Sequence, residues 1–236
     1  TLPPRCLICG NGTCISLQMD FRALDDFCNF SRKEILPAVE DIGKLPDKSR
    51  VHLQKLVYTN LVDRFDAMID RTILDNCRED GFVEHGLSDA SGPITEAELY
   101  RLLLNSSGLE DFLTRKLQEG LRSSVLRKRH SKKVEALFQL AVPDALAHKP
   151  VPRVNLNNGE IVSKLKPQKR PVPQTIVGYC DWLYSKRNSI VHGAGTTRFL
   201  ENDRQQLRKS HGIEVAQTFK IIIGSITTAA RFYQRV

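Results

Sequence analysis

Along most of this chain apolar residues recur at three- and four-residue intervals, the spacing that turns one face of an α-helix inward. The longest unbroken run is Val51, Leu53, Leu56, Val57, Leu61, Val62, Phe65, Met68, Ile69, Ile73 and Leu74, which predicts a helix from Lys48 to Cys77. Upstream, Leu17, Phe21, Leu24, Phe27 and Phe30 predict an amphipathic helix within 15–36. Ser31 and Glu34 there have capping-box spacing and predict the start of a second short helix, and Gly43 and Pro46 close the region. Residues 78–94 are dense in Gly, Ser and Asp and read as a loop, with His85 on its surface. Thr95 caps a helix through Leu104. A long helix follows from Leu109 to about Val142, its core side marked by Leu109, Phe112, Leu113, Leu117, Leu121, Val125, Leu137 and Leu140.

Pro143 ends that helix and opens a connection, 143–173, too proline-rich and too long for an ordinary loop of a compact domain. Inside it, Val151, Val154, Leu156, Ile161 and Val162 flank Asn157-Asn158-Gly159, a pattern that fits a small hairpin within 150–165. A helix over Gln174–Gly193 comes next. It is followed by a short helix from Thr196 or Thr197 through Arg208, and by a final helix from Ile213 to Arg235. No strand–helix alternation, phosphate loop or dinucleotide fingerprint is visible. The expected fold class is mainly α, with a Cys-containing segment at 1–14 and one helical domain over 15–236 that carries the long basic loop at 143–173.

Composition alters this picture in two ways. The first is charge: 35 Lys and Arg against 27 Asp and Glu give a net charge of +8, which favours an anionic partner where the cations cluster. They cluster at Arg127-Lys128-Arg129-His130 with Lys132 and Lys133, inside the predicted long helix. Two further groups are Lys164–Arg170 and the set Arg204, Arg208 and Lys209. The second is cysteine. Cys6 and Cys9 have knuckle spacing and Cys14 follows, a weak set of metal ligands because no second pair lies downstream; Cys28, Cys77 and Cys180 read as buried thiols. No cofactor is called for. With no apolar run near the roughly 18 residues of a membrane span and no visible secretory signal, the chain reads as cytoplasmic without a membrane partner.

The candidate chemistry lies in Gln174–Gly193. Ile176, Cys180, Leu183, Ile190 and Val191 form an apolar stripe, and Asp181, Ser185, Asn188 and His192 a polar row. Arg187 falls on the apolar side, a costly place for a cation unless it is paired or used. Asp63, Asp66 and Asp70 of the longest helix read as surface acids, one of which could pair with it.

Arg187-Asn188-Ser189-Ile190-Val191-His192 resembles the Arg-polar-x-x-x-His signature of the HEPN superfamily (higher eukaryotes and prokaryotes nucleotide-binding). The resemblance implies an antiparallel helical bundle that dimerises, with a metal-independent endoribonuclease site at the two-fold. Arg187, His192 and Asn188 would then be catalytic, and Arg127, Lys128, Arg129 and Lys186 would contact the RNA. Cleavage would leave 2′,3′-cyclic phosphate and 5′-hydroxyl ends, as in a toxin or defence effector restrained by an antitoxin or regulatory protein. Histidine suits proton transfer near neutrality and arginine suits phosphate oxygens. Ile190, Val191 and Trp182 are the apolar residues beside the motif that would meet a partner. The alternatives are a non-catalytic HEPN-like dimer that binds RNA or protein, and a zinc-dependent nucleic-acid adaptor. The bland account pairs Arg187 with a helix carboxylate and leaves His192 as a helix cap.

Overall fold

The computed structural model describes residues 19–87, 93–104, 108–141, 175–192, 196–201, 204–209 and 226–234. Cys6, Cys9, Cys14, the 143–173 connection with its 150–165 hairpin and Lys164–Arg170, and the first half of the final helix lie outside the described residues. The fold is mainly α. No helix among the described residues is long and apolar enough to cross a membrane.

Helix α1 (Arg22–Phe30) runs through a five-residue π-helical turn, Ser31–Ile35, into α2 (Leu36–Ile42). The predicted helix start at Ser31 is therefore corrected. Its φ of −60° and ψ of −42° are helical, whereas a capping residue is extended, and its side chain is buried. α3 (Asp47–Asp75) is the 29-residue spine, with Leu61, Val62, Phe65, Met68, Ile69 and Ile73 buried along one side. At its end Asn76 clamps the chain ahead of α1, accepting from Asp20 N at 2.7 Å and donating to Asp20 O at 2.9 Å. Phe65 stacks on Tyr233 at 3.7 Å and Phe27 meets both rings edge-on, so the first, third and last helices share one aromatic core.

The loop predicted over 78–94 contains a helix, α4 (Asp80–Leu87). Gly86 in it is a packing device: a Cβ on Gly120, in the helix Leu109–Leu121, would lie 1.7 Å from Gly86 O, so the two helices approach this closely only with glycine at position 120. α5 (Glu96–Leu104) follows a complete capping box, with Glu98 N donating to Thr95 Oγ1 at 3.2 Å and Thr95 N donating to Glu98 Oε2 at 2.9 Å. The single long helix predicted from Leu109 is two. α6 (Leu109–Leu121) widens into a π-helical turn, Arg122–Leu126, breaks at 127–129, and restarts as α7 (His130–Ala141). Arg127, Lys128 and Arg129 thus occupy a corner and not a helix face.

α8 (Ile176–Val191) begins at Thr175, whose hydroxyl accepts from Gly178 N at 3.2 Å, and ends at His192. The short helix expected next is a hairpin. β1 (Thr196–Glu201) pairs antiparallel with β2 (Arg204–Lys209), Thr196 opposite Lys209 and Glu201 opposite Arg204. β-Branched and aromatic residues in Thr-Thr-Arg-Phe and the Asn-Asp pair between the strands favour this over a helix. Residues 226–233 are helical and bury Ile226, Ala229, Ala230, Phe232 and Tyr233.

Candidate functional site

The site is assembled on α3. Asp63, Asp66 and Asp70 stand at i, i+3 and i+7, hence on one face, and each takes a cation from another helix. These acids are not simple surface residues. His130 Nδ1 and Lys133 Nζ of α7 both lie 2.8 Å from Asp66, and Lys133 Nζ also reaches Asp70 at 2.8 Å. Burial pushes Asp66 up, but the hydrogen bonds from His130 and Lys133 outweigh it and hold the carboxyl below its usual range. For Asp70 burial prevails over the Lys133 contact and raises it. Burial would lower Lys133, yet its two carboxylates together hold it above the usual lysine range.

The third acid meets the motif. Arg187 Nη2 lies 2.8 Å from Asp63 Oδ1, and Arg187 Nη1 donates to Asn188 Oδ1 at 2.9 Å. Asp63 is 45% exposed and Arg187 21%, so the pair sits at the surface with the arginine the more enclosed. Behind it the Tyr184 ring lies 5.8 Å from the guanidinium carbon and stacks on the buried His130, 4.5 Å away and 6° from parallel. Arg187, Tyr184, His130 and Asp66 thus form a continuous path from the surface into the α3–α7 contact.

Six residues before Arg187, Asp181 is 1% exposed and receives both arms of Arg129, at 2.8 Å from Nε and 2.5 Å from Nη2. Asp181 therefore leaves the outward polar row predicted for it. Arg129, expected to contact RNA, is paired with Asp181 within the chain although its side chain is 40% exposed, and Arg127 and Lys128 beside it are exposed too. Lys186 Nζ lies 4.8 Å from the Trp182 ring centre, and burial pulls its pKa down to about 8. Trp182 is itself buried, which corrects its expected place in a partner contact; Val191 is exposed and Ile190 partly buried.

His192 is exposed at the C-terminal cap of α8, its backbone N–H donating to Asn188 O at 3.0 Å. The motif's arginine and asparagine are therefore in contact, and its histidine is on the same helix end with no side-chain hydrogen bond to either. No family model, curated protein or solved structure matches the chain.

Sequence reasoning counted His130 within a basic cluster, set Asp181 on an outward polar row and gave Tyr184 no role. The only signal available was the i, i+3, i+7 spacing of the α3 acids, which marks a face without naming what lies across it. A separate groove lined by Asp20, Arg22, Asp75 and Arg78 lies at the far end of α3, about 18 Å along the helix from Asp63. Its arginines are occupied by Asp20 and by Thr114. Among the described residues no group of three or more metal-ligating side chains occurs. What the site presents is a guanidinium of fixed orientation, a partly desolvated amine and an exposed imidazole along one helix.

Proposed function

We propose that this chain is a metal-independent endoribonuclease of HEPN type that acts as a homodimer. The observation that carries the reading is that Arg187, Asn188 and His192 lie together on the last turns of α8, with Arg187 held at the surface by Asp63 and Asn188. In this reading Arg187 grips the phosphate oxygens and stabilises the charge that develops on phosphorus. The 2′-oxygen attacks phosphorus as a base removes its proton, the bond to the 5′-oxygen breaks, and an acid returns a proton to that oxygen. A cyclic phosphate and a 5′-hydroxyl result. Asn188 accepts a hydrogen bond from Arg187, so its role is to orient the guanidinium. His192 supplies proton transfer.

Five residues separate Arg187 from His192, which on a regular helix turns them about 140° apart. A two-fold pairing of α8 ends would bring a second histidine to each arginine, one acting as base and its mate as acid. The exposed Arg127 and Lys128 would carry the strand past the site, and Lys186 would add a cation below pH about 8.

Incubating pure protein with total RNA, wild type beside His192→Ala and with excess chelator, tests the proposal. Cleavage that chelator spares and the substitution removes supports it; cleavage that persists in His192→Ala, or none in the wild type, sinks it. A second reading is a non-catalytic HEPN-like dimer that binds RNA or protein. It is favoured by the occupied state of Arg187, whose two terminal nitrogens both have partners.

A further inference from the structure

Four large apolar side chains stand exposed on α5, a different helix from the one that carries the motif. Leu99, Tyr100, Leu103 and Leu104 are between 49% and 70% exposed, and Ile94, ahead of the capping threonine, is 39% exposed. At 100° per residue the four fall within a 140° sector. The opposite side carries Glu98 and Leu102, both half-buried, and Glu98 feels Lys116 of α6. The helix is therefore seated by its Glu98–Leu102 side and offers its leucine–tyrosine ridge to whatever lies outside.

We propose that this ridge is an interface between two copies of the chain, packed about a two-fold axis through α5. The chemistry of the helix narrows the occupant. The sector that bears the ridge holds Glu96 and no cation, which suits neither a nucleic acid nor an anionic lipid surface. A ridge of three leucines and a tyrosine needs only another apolar surface of matching shape, and a second copy supplies one.

Area supports the same occupant. At roughly 150–250 Å² for each large side chain when fully bared, the five residues expose on the order of 500 Å². Such a patch is at the upper end of what a lone domain shows. Two of them together reach about the 1,000 Å² that a specific, weakly held interface requires. This contact is independent of the ribonuclease reading and uses a different face from the α8 end.

Sedimentation velocity over a concentration series decides it, with wild type, Leu103→Glu and Tyr100→Glu on α5, and Val191→Glu on the exposed end of α8. Both α5 side chains face outward, so circular dichroism and melting should match wild type in each variant. The expected result is reversible wild-type association through α5, with a further step to a tetramer where the α8 ends pair as well. Either α5 substitution should weaken the α5 association by about tenfold or more, since each buries a carboxylate against apolar side chains. A wild type that stays monomeric throughout, or association that the α5 variants leave unchanged, overturns the proposal. Association lost only in Val191→Glu does the same and moves the contact to α8. A stoichiometric complex with a different protein that the α5 variants abolish, formed by a monomeric wild type, assigns the ridge to another occupant and also overturns it.

Discussion

Asp63 Oδ1 lies 2.8 Å from Arg187 Nη2, so the motif arginine is already paired with an anion inside the chain. The carboxylate holds the edge of the guanidinium that a phosphate would take. A half-exposed pair of this kind contributes about 0.2–1 kcal/mol. Asp63→Asn should therefore leave the melting temperature nearly unchanged and tighten binding of a labelled RNA strand by about two- to fivefold. Fluorescence anisotropy with the single variants and the double Asp63→Asn/Arg187→Ala closes the cycle. A gain that survives without Arg187 would show that the effect is only long-range charge.

Arg187→Ala and His192→Ala should each lower the rate of RNA cleavage by about 10²-fold or more while helical content stays at the wild-type level. Rates on a defined RNA, read beside circular dichroism, check this. Wild-type rates in either variant remove that residue from the chemistry, and variants that unfold make the motif structural.

On the proposed function, cleavage and binding should weaken steeply with salt, because the exposed Arg127 and Lys128 would release counterions from an RNA strand. Replacing both with alanine should reduce the slope of log affinity against log salt by about 1–2 and leave the single-turnover rate at saturation unaltered. An unaltered slope would place the strand on another surface.

The Arg129–Asp181 bridge is lopsided: Asp181 is 1% exposed and Arg129 40%. Removing the arginine strands a buried carboxylate, whereas removing the acid leaves an arginine that can turn to water. Arg129→Ala should cost about 3 kcal/mol and Asp181→Asn about 1 kcal/mol. Urea midpoints for the two variants decide it, and equal losses would contradict the burial asymmetry.

Lys133 joins Asp66 and Asp70, and Lys133→Met should cost about 2 kcal/mol near neutral pH. The folded lysine titrates above its ordinary 10.5, so its contribution is fully present below that value and fades as pH rises through the folded one. Asp66 is held below its ordinary 3.8, so its share is present above that value and disappears as pH falls through the lower folded one. Asp70, raised by burial, acts in the opposite sense and loses its cost on acidification. The gap between wild type and Lys133→Met, followed by urea unfolding across pH, should be flat in the neutral range and shrink at both ends. A gap that widens above pH 10.5 would refute the linkage.

Local signals in the chain specify much of the helical framework. Apolar periodicity marks the α3 spine from Val51 to Leu74, and Thr95 places the start of α5. Periodicity failed where a helix is bent or broken. The apolar positions continue from Leu121 through Val125, so the pattern cannot distinguish a π-helical turn and a corner from one straight helix. It also failed where packing reverses a residue's local preference. Gly86 suggests a loop by composition, yet lies in α4, where its carbonyl sits so close to Gly120 that no side chain fits at position 120.

The sequence by itself determined which residues share a helix face: Arg187 on the apolar side of α8, and Asp63, Asp66 and Asp70 together on α3. Only the tertiary structure decided who meets whom: Asp63 with Arg187, Asp66 with His130 and Lys133, Asp181 with Arg129. The reason is physical. A helix's face follows from a period of 3.6 residues within one segment, whereas its neighbour depends on how α3, α7 and α8 rotate and slide to bury their apolar sides, and charged partners remote in the chain come into register only when that packing is complete.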